Sequence, residues 1–189
     1  MTNRPKQIGT AGETAVVRYL RPNGFGGVER SALHGNVDQG DLTGTPGVGW
    51  EVKAGHAAEN ASDAQIATWL DDTESERVNR GADVAVLVLK RKGKGAASAG
   101  AWWAFLPGWA YVYLAQCEVS LDPDSERPRE YRLDYDAAPA VRVTLADAVY
   151  LLRAAGYGDP LGDHDVDAGG NCRRFGCGYF ADDDNPRHR

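Results

Sequence analysis

Cysteine is scarce in this chain: Cys117, Cys172 and Cys177 are the three present among 189 residues. An odd, sparse set argues against a disulfide framework and fits a reducing cytosol. No apolar run approaches the roughly 20 residues that a membrane span requires. The opening stretch "MTNRPKQIGTAGE" has no apolar signal core. A soluble, cytoplasmic protein with no membrane partner is therefore expected. There is no internal repeat, no Gly-rich phosphate loop, no nucleophile elbow and no dinucleotide fingerprint, so the chemistries tied to those motifs have no footing here.

A basic excess is also missing. The formal net charge is -6, and a bulk acidic balance argues against nucleic-acid binding. The acid is unevenly spread, however. Residues 1–95 hold 12 basic and 12 acidic side chains, and the remainder holds 9 and 15, which accounts for the whole deficit. The neutral first half keeps two local clusters, "NRPK" and "KRKGK", that can meet phosphates.

What is present is ordinary globular material, with apolar residues at 42%, enough for a full core. A helix is expected over "TAGETAVVRYLRP", N-capped by Thr10 and ended by Pro22. "GGVERSA" reads as a short strand. "DLTG" and "GWEVKAG" read as two strands joined by the turn-rich "TGTPGVG". "SDAQIATWLDDTESERVNRG" is a helix started by Ser62 and stopped by Gly81. "DVAVLVLK" suits a central strand buried on both faces. "KRKGKGAASAGA" reads as a mobile loop, "WWAFLPG" as a strand, and "GWAYVYLAQ" as a short helix or strand.

The polar, acidic region 118–139 reads as a long connection. "VRVTLADAVYLLRAAG" gives a strand end and then a helix capped by Thr144 and stopped by Gly156. The order predicts an α/β fold, an αβββαβ core with a mixed central sheet flanked by helices. Residues 1–116 are assigned to that core, 117–156 to an extension with a helix, and 157–189 to a Gly/Asp-rich tail expected to be disordered.

The stretch "GDLTGTPGVGWEVKAG" carries the chemistry. Side chains alternate along a strand, so Glu51 and Lys53 share one face while Trp50 and Val52 share the other. A hairpin returns Asp41 close to Glu51. Two carboxylates converging beside a lysine repel each other unless a cation intervenes, and hard carboxylate oxygens suit Mg²⁺, with Mn²⁺ as a substitute. Such a metal polarises a phosphodiester and acidifies an attacking water. The lysine can orient that water or meet the charge of the transition state. Taken alone, E-x-K is a common accident and reads as an ordinary surface pair.

Glu13 has two readings. "TAGE" fits a capping box in which Glu13 bonds back to Thr10. On a helical wheel, Glu13 falls on the side of Val16, Val17 and Leu20, where it would face the sheet and the metal. Gln65 in "SDAQ" is likewise either a cap or a group aimed at the scissile phosphate.

The segments "GETAVVRYLRPNGF", "ERSALHGNVDQGDLTG", "WEVKAG" and "AQIATWLDDTESERVN" together resemble the PD-(D/E)XK nuclease superfamily. Within it they resemble archaeal-type Holliday junction resolvases and similar proteins of actinobacterial phages. The likeness covers roughly residues 9 to 90. Gly40 stands where the superfamily's name leads one to expect proline. The resemblance implies a restriction-endonuclease-like fold and a Mg²⁺-dependent DNA endonuclease selective for structures such as four-way junctions; the alternatives are a restriction- or repair-type nuclease of ordinary duplex and a catalytically silent DNA-binding protein of the same fold.

It also implies a homodimer, because a resolvase cuts two symmetric strands, and, for a phage-encoded protein, the cytoplasm of the host bacterium. It carries metal binding onto Glu13, Asp41 and Glu51, and completion of the site onto Lys53. Asp38 is a rival to Asp41, but the family pattern puts the acid directly before a short apolar segment, which selects Asp41. Arg30 and Ser31 fall where such proteins touch the DNA backbone. Lys90, Arg91, Lys92 and Lys94 form a second set of candidate DNA contacts.

Two further motifs receive blander readings. Cys172 and Cys177 with His164 and His188 could suggest zinc, but the spacing is loose and the flanks are Gly-rich and acidic, which favours a metal-free tail. The aromatics of "WWAFLPGWAYVYL" could stack on bases. Core or dimer packing accounts for them more simply.

Overall fold

The computed structural model describes residues 4–31, 40–119 and 139–160. The first helix, α1 (Arg4–Leu20), begins well before Thr10. Pro5 sits in its first turn, where a missing N–H costs nothing. Thr10 is therefore an interior residue and not the expected cap: its carbonyl accepts from the Thr14 hydroxyl at 2.7 Å. Pro22 lies in a 3-10 turn that ends the helix at Gly24, whose φ is 90°.

Two short strands follow, β1 (Glu29–Arg30) and β2 (Leu42–Thr43), paired antiparallel with Arg30 opposite Leu42. The next strand, β3 (Val48–Lys53), is not laddered to β2 as the hairpin reading expects. It touches the preceding segment through single bonds, Val48 N–H to the Thr45 carbonyl at 3.1 Å and Asp41 N–H to the Trp50 carbonyl at 2.9 Å. A short α2 (His56–Glu59) leads into α3 (Asp63–Arg80). The Ser62 hydroxyl caps α3 by accepting from Gln65 N–H, and Gly81 at φ 69° closes it, as the sequence indicates.

Strand β4 (Val84–Leu89) is buried throughout and lies parallel to β3, with Lys53 opposite Leu89. The segment 96–101 expected to be loop forms a 3-10 helix anchored by buried Ala99. Then come β5 (Trp103–Leu106) and a helix, α4 (Gly108–Val119), over the stretch left open between helix and strand. Finally β6 (Val141–Thr144) precedes α5 (Leu145–Ala154), which starts with a complete Thr144/Asp147 capping box.

The main sheet runs β3-β4-β5-β6, with β3 and β4 parallel and the other neighbours antiparallel. The protein is thus of the mixed α/β class, a four-stranded mixed sheet flanked by helices. Alternation splits the sheet into two faces. Val48, Trp50 and Val52 of β3, with Val84, Val86 and Val88 of β4, pack on Val16, Val17 and Leu20 of α1 and on α5. Leu87, Leu89 and Phe105 face the other way, against Ala58 and against Ile66, Trp69 and Leu70 of α3.

Strand β6 and helix α5 belong to this same sheet and core, so residue 116 marks no structural boundary. The core also reaches past 156, because Tyr157 packs against it. Residues 161–189, with the cysteine and histidine candidates of the tail, and the 118–139 connection apart from its described ends, lie outside the described residues. Among the described residues, no helix is long and apolar enough to cross a membrane.

Helix α1 lies unusually close to the end of β3. A Cβ on Gly12 would come 2.5 Å from the Ala54 Cβ, well inside the usual carbon–carbon separation of about 3.5–4.0 Å. Gly12→Ala gains helix propensity of about 1 kcal/mol, but overpacking should outweigh it and leave a net loss of about 1–2 kcal/mol. Urea denaturation measures this; a more stable variant would mean that α1 is free to move outward.

Candidate active site

Asp41 is spliced into two strands at once. Its carbonyl accepts from Ser31 N–H at 2.8 Å and its own N–H donates to the Trp50 carbonyl at 2.9 Å. Its Oδ2 then accepts from Val52 N–H at 2.8 Å. These bonds bracket Glu51, so the acid lies at the β3 edge beside it. The residue before it explains the missing proline. Gly40 has φ 82°, and a Cβ there would come 2.9 Å from the Trp50 carbonyl. Proline, locked near φ −65°, cannot adopt that conformation.

Glu51 is 6% exposed, on the sheet face that α3 covers. Lys53, two residues along on the same face, forms an ion pair with Glu51. Burial pushes the Asp41 carboxyl up to about 7, with Glu51 and Glu13 adding repulsion against the Val52 N–H and Lys53. Burial likewise pushes Glu51 up to about 7, opposed by Lys53 and reinforced by Glu76. The Lys53 ammonium is depressed by burial, but its bond to Glu51 and the charges of Glu51, Asp41 and Glu76 outweigh this and hold it above the usual lysine range.

Glu13 approaches from α1, on the opposite side of the sheet, near enough to act on Asp41. Its Oε2 accepts from the Arg30 guanidinium at 2.6 Å. The helical-wheel reading of Glu13 therefore describes its position better than the capping box, whose Thr10 partner is not a cap. Gln65 stays apart. It is exposed, and its backbone N–H is engaged in the Ser62 cap.

Glu76 is the group that sequence reading missed. From α3 it hydrogen-bonds the Glu51 carboxyl and adds negative charge beside Lys53. The signal was available: Glu76 continues the stripe Ile66, Trp69, Leu70 and Thr73 that packs on the sheet. Gln65 shares that face of α3, but about 16 Å of helix separates the two positions.

The candidate DNA contacts divide. Arg30 is engaged by Glu13, and Lys90 by Glu59 at 2.6 Å. Ser31 meets Asp41 through its backbone. Arg91 lies over the Trp103 ring, 4.0 Å from its centroid. Lys92 and Lys94 are exposed. Asp38 lies outside the described residues.

A buried and a half-buried carboxyl, both pushed up by desolvation and with like charge beside them, fit a divalent cation, which would stabilise both in the ionised form. Among the described residues no group of three or more His, Cys, Asp or Glu side chains is close enough together to hold a metal. Asp41 and Glu51 are thus the donors this arrangement offers, which matches the habit of Mg²⁺ to use one or two carboxylates and keep several waters. Comparison with protein-family models, characterised proteins and solved structures gave no match to this chain.

The raised carboxyls have a measurable consequence in the metal-free protein. Their folded values of about 7 exceed the ordinary 3.8 and 4.5. Their favourable contribution is therefore complete below about pH 4 and is lost as pH rises through about 7. In EDTA the melting temperature should fall by several degrees between about pH 5 and about pH 8. Asp41→Asn, which can still accept from Val52, should flatten that fall. A melting temperature that stays level in the parent protein would contradict the mutual burial of the two acids.

Proposed function

We propose that the protein is a metal-dependent DNA endonuclease with a restriction-endonuclease-like core, structure-selective in the manner of a Holliday junction resolvase. The observation that carries this reading is the seating of the Asp41 carboxylate at the β3 edge, bonded to Val52 N–H, beside buried Glu51 with Lys53 on the same face. Asp41 and Glu51 would hold Mg²⁺, with Glu13 reaching it through water once Arg30 is drawn away. The cation supplies Lewis-acid activation of the phosphodiester and acidification of water. Lys53 orients the attacking water and offsets charge building on the phosphorane. Glu51 in turn holds Lys53 protonated and in place. Cleavage at paired, symmetric positions of a junction calls for a homodimer.

The test is nicking of supercoiled plasmid, a four-way junction and a matched linear duplex, with Mg²⁺, Mn²⁺ or EDTA. Metal-dependent cutting is expected, and faster cutting of the junction supports the resolvase-like selectivity. A second reading, a catalytically silent DNA-binding protein, draws on the pairing of two of the acids inside the protein: Glu13 with Arg30, and Glu51 with Lys53 and Glu76. Junction binding without cutting under any metal would select it.

A further inference from the structure

We infer that Arg91, Trp103 and Arg142 form a pre-ordered clamp for the DNA phosphate backbone beside the candidate active site. The Arg91 guanidinium carbon lies 4.0 Å, and that of Arg142 4.8 Å, from the centroid of the Trp103 ring. Arg91 follows β4 and Arg142 belongs to β6, so the two cations reach the indole from the strands on either side of β5. Among the described residues neither guanidinium forms an ion pair. Glu59, an acid close to this turn, is held by Lys90. Two like charges gathered on one ring, with no carboxylate paired to either among the described residues, make a site that a polyanion completes.

Strand register sets the position relative to the site. Lys53 is opposite Leu89, and Leu89 is opposite Trp103. Paired residues share a face, so Lys53 and Trp103 lie on the same side of the sheet, two strand spacings or about 10 Å apart along the row. Helix α3 packs over β3 and β4. The β5–β6 half beyond it carries Trp103, partly buried, and Arg142, exposed. Exposed Lys92 and Lys94 extend the positive charge from the adjoining turn.

The chemistry selects the contact. Cations over the indole occupy the π surface that a base would need, so Trp103 is not a base-stacking platform. It holds the two guanidinium groups in place and lowers the entropy lost when they close on phosphate oxygens. Such contacts are indifferent to sequence and sensitive to salt.

This assignment rests on the nuclease reading for its ligand, and the experiment separates the two. The full chain in EDTA is titrated onto a labelled linear duplex over a range of salt, beside the Mg²⁺ nicking assay. Removing both side chains (Arg91→Ala with Arg142→Ala) should make the log–log salt slope shallower by about 2 and weaken binding about tenfold or more near 0.1 M salt. Arg91→Lys with Arg142→Lys should keep the slope yet bind more weakly than the parent, because the stacked fork is lost. The control removes an exposed charge from α1, on the other face of the sheet (Arg18→Ala). It should change the slope by much less.

An unchanged slope in the Arg91/Arg142 variant, an equal change in the control, or no DNA binding by the parent protein overturns the clamp. A parent that binds with the expected slope change but never cuts leaves the clamp standing and removes the nuclease reading.

Discussion

Lys53→Ala is expected to lower Mg²⁺-dependent cleavage by about 10²–10³-fold, a loss typical of removing one group that meets charge in the transition state. Binding to the same DNA in EDTA should be nearly unchanged, because phosphate contacts are spread over other residues. Glu51→Gln should be at least as damaging. It keeps the size of the side chain but takes a charge from the donor pair and leaves Lys53 without its ion-pair partner, so half-saturation with Mg²⁺ should shift to higher concentration.

A melting curve accompanies each variant. Glu51 without Lys53 can stay neutral through its bond to Glu76, so Lys53→Ala should remain folded at neutral pH. Lys53→Arg is the finer test: it retains the charge but changes its position, and should recover only part of the rate. Parent-like cleavage by either Lys53→Ala or Glu51→Gln would take the β3 pair out of the active site.

Arg153→Met should cost about 2–4 kcal/mol of stability, seen as a fall in melting temperature of roughly 5–15 °C. The Arg153 Nη1 donates to the Gly24 carbonyl at 3.0 Å, to that of Tyr157 at 2.7 Å and to that of Asp159 at 2.7 Å. Asp159 returns the connection, its N–H bonding the Gly24 carbonyl at 2.7 Å and its carboxylate accepting from Gly26 N–H at 2.6 Å. Methionine keeps much of the volume beside Phe25 but leaves carbonyls short of donors.

The loop so clamped feeds β1, which carries Arg30 and pairs with the strand next to Asp41. Cleavage should therefore weaken in the variant at temperatures well below its melting point. Truncation after residue 160 spares the clamp, whereas truncation at 157 removes Asp159 from it. A small change in melting temperature for Arg153→Met would show that the clamp is dispensable to the fold.

The sequence alone determined the elements whose signals are local. The caps of α3 at Ser62 and Gly81, the continuous apolar run of β4, and the N-cap of α5 at Thr144 each lie within a few residues of the structure they specify. The shared face of Glu51 and Lys53 also follows from strand alternation alone.

Tertiary structure decided the rest, because the deciding partners are distant in the chain. Asp41 joins β3 through single bonds rather than a β2–β3 ladder, and those bonds reach across from a segment about ten residues away. Of the two readings of Glu13 the cap falls away, because α1 starts at Arg4 and Arg30 stands opposite Glu13. Glu76 enters the site only because the crossover between parallel β3 and β4 lays α3 back along β3. Local propensity acts over a turn of helix or a pair of strand residues. Burial, charge repulsion and strand pairing act between segments the chain must first bring together, and those terms placed the candidate site.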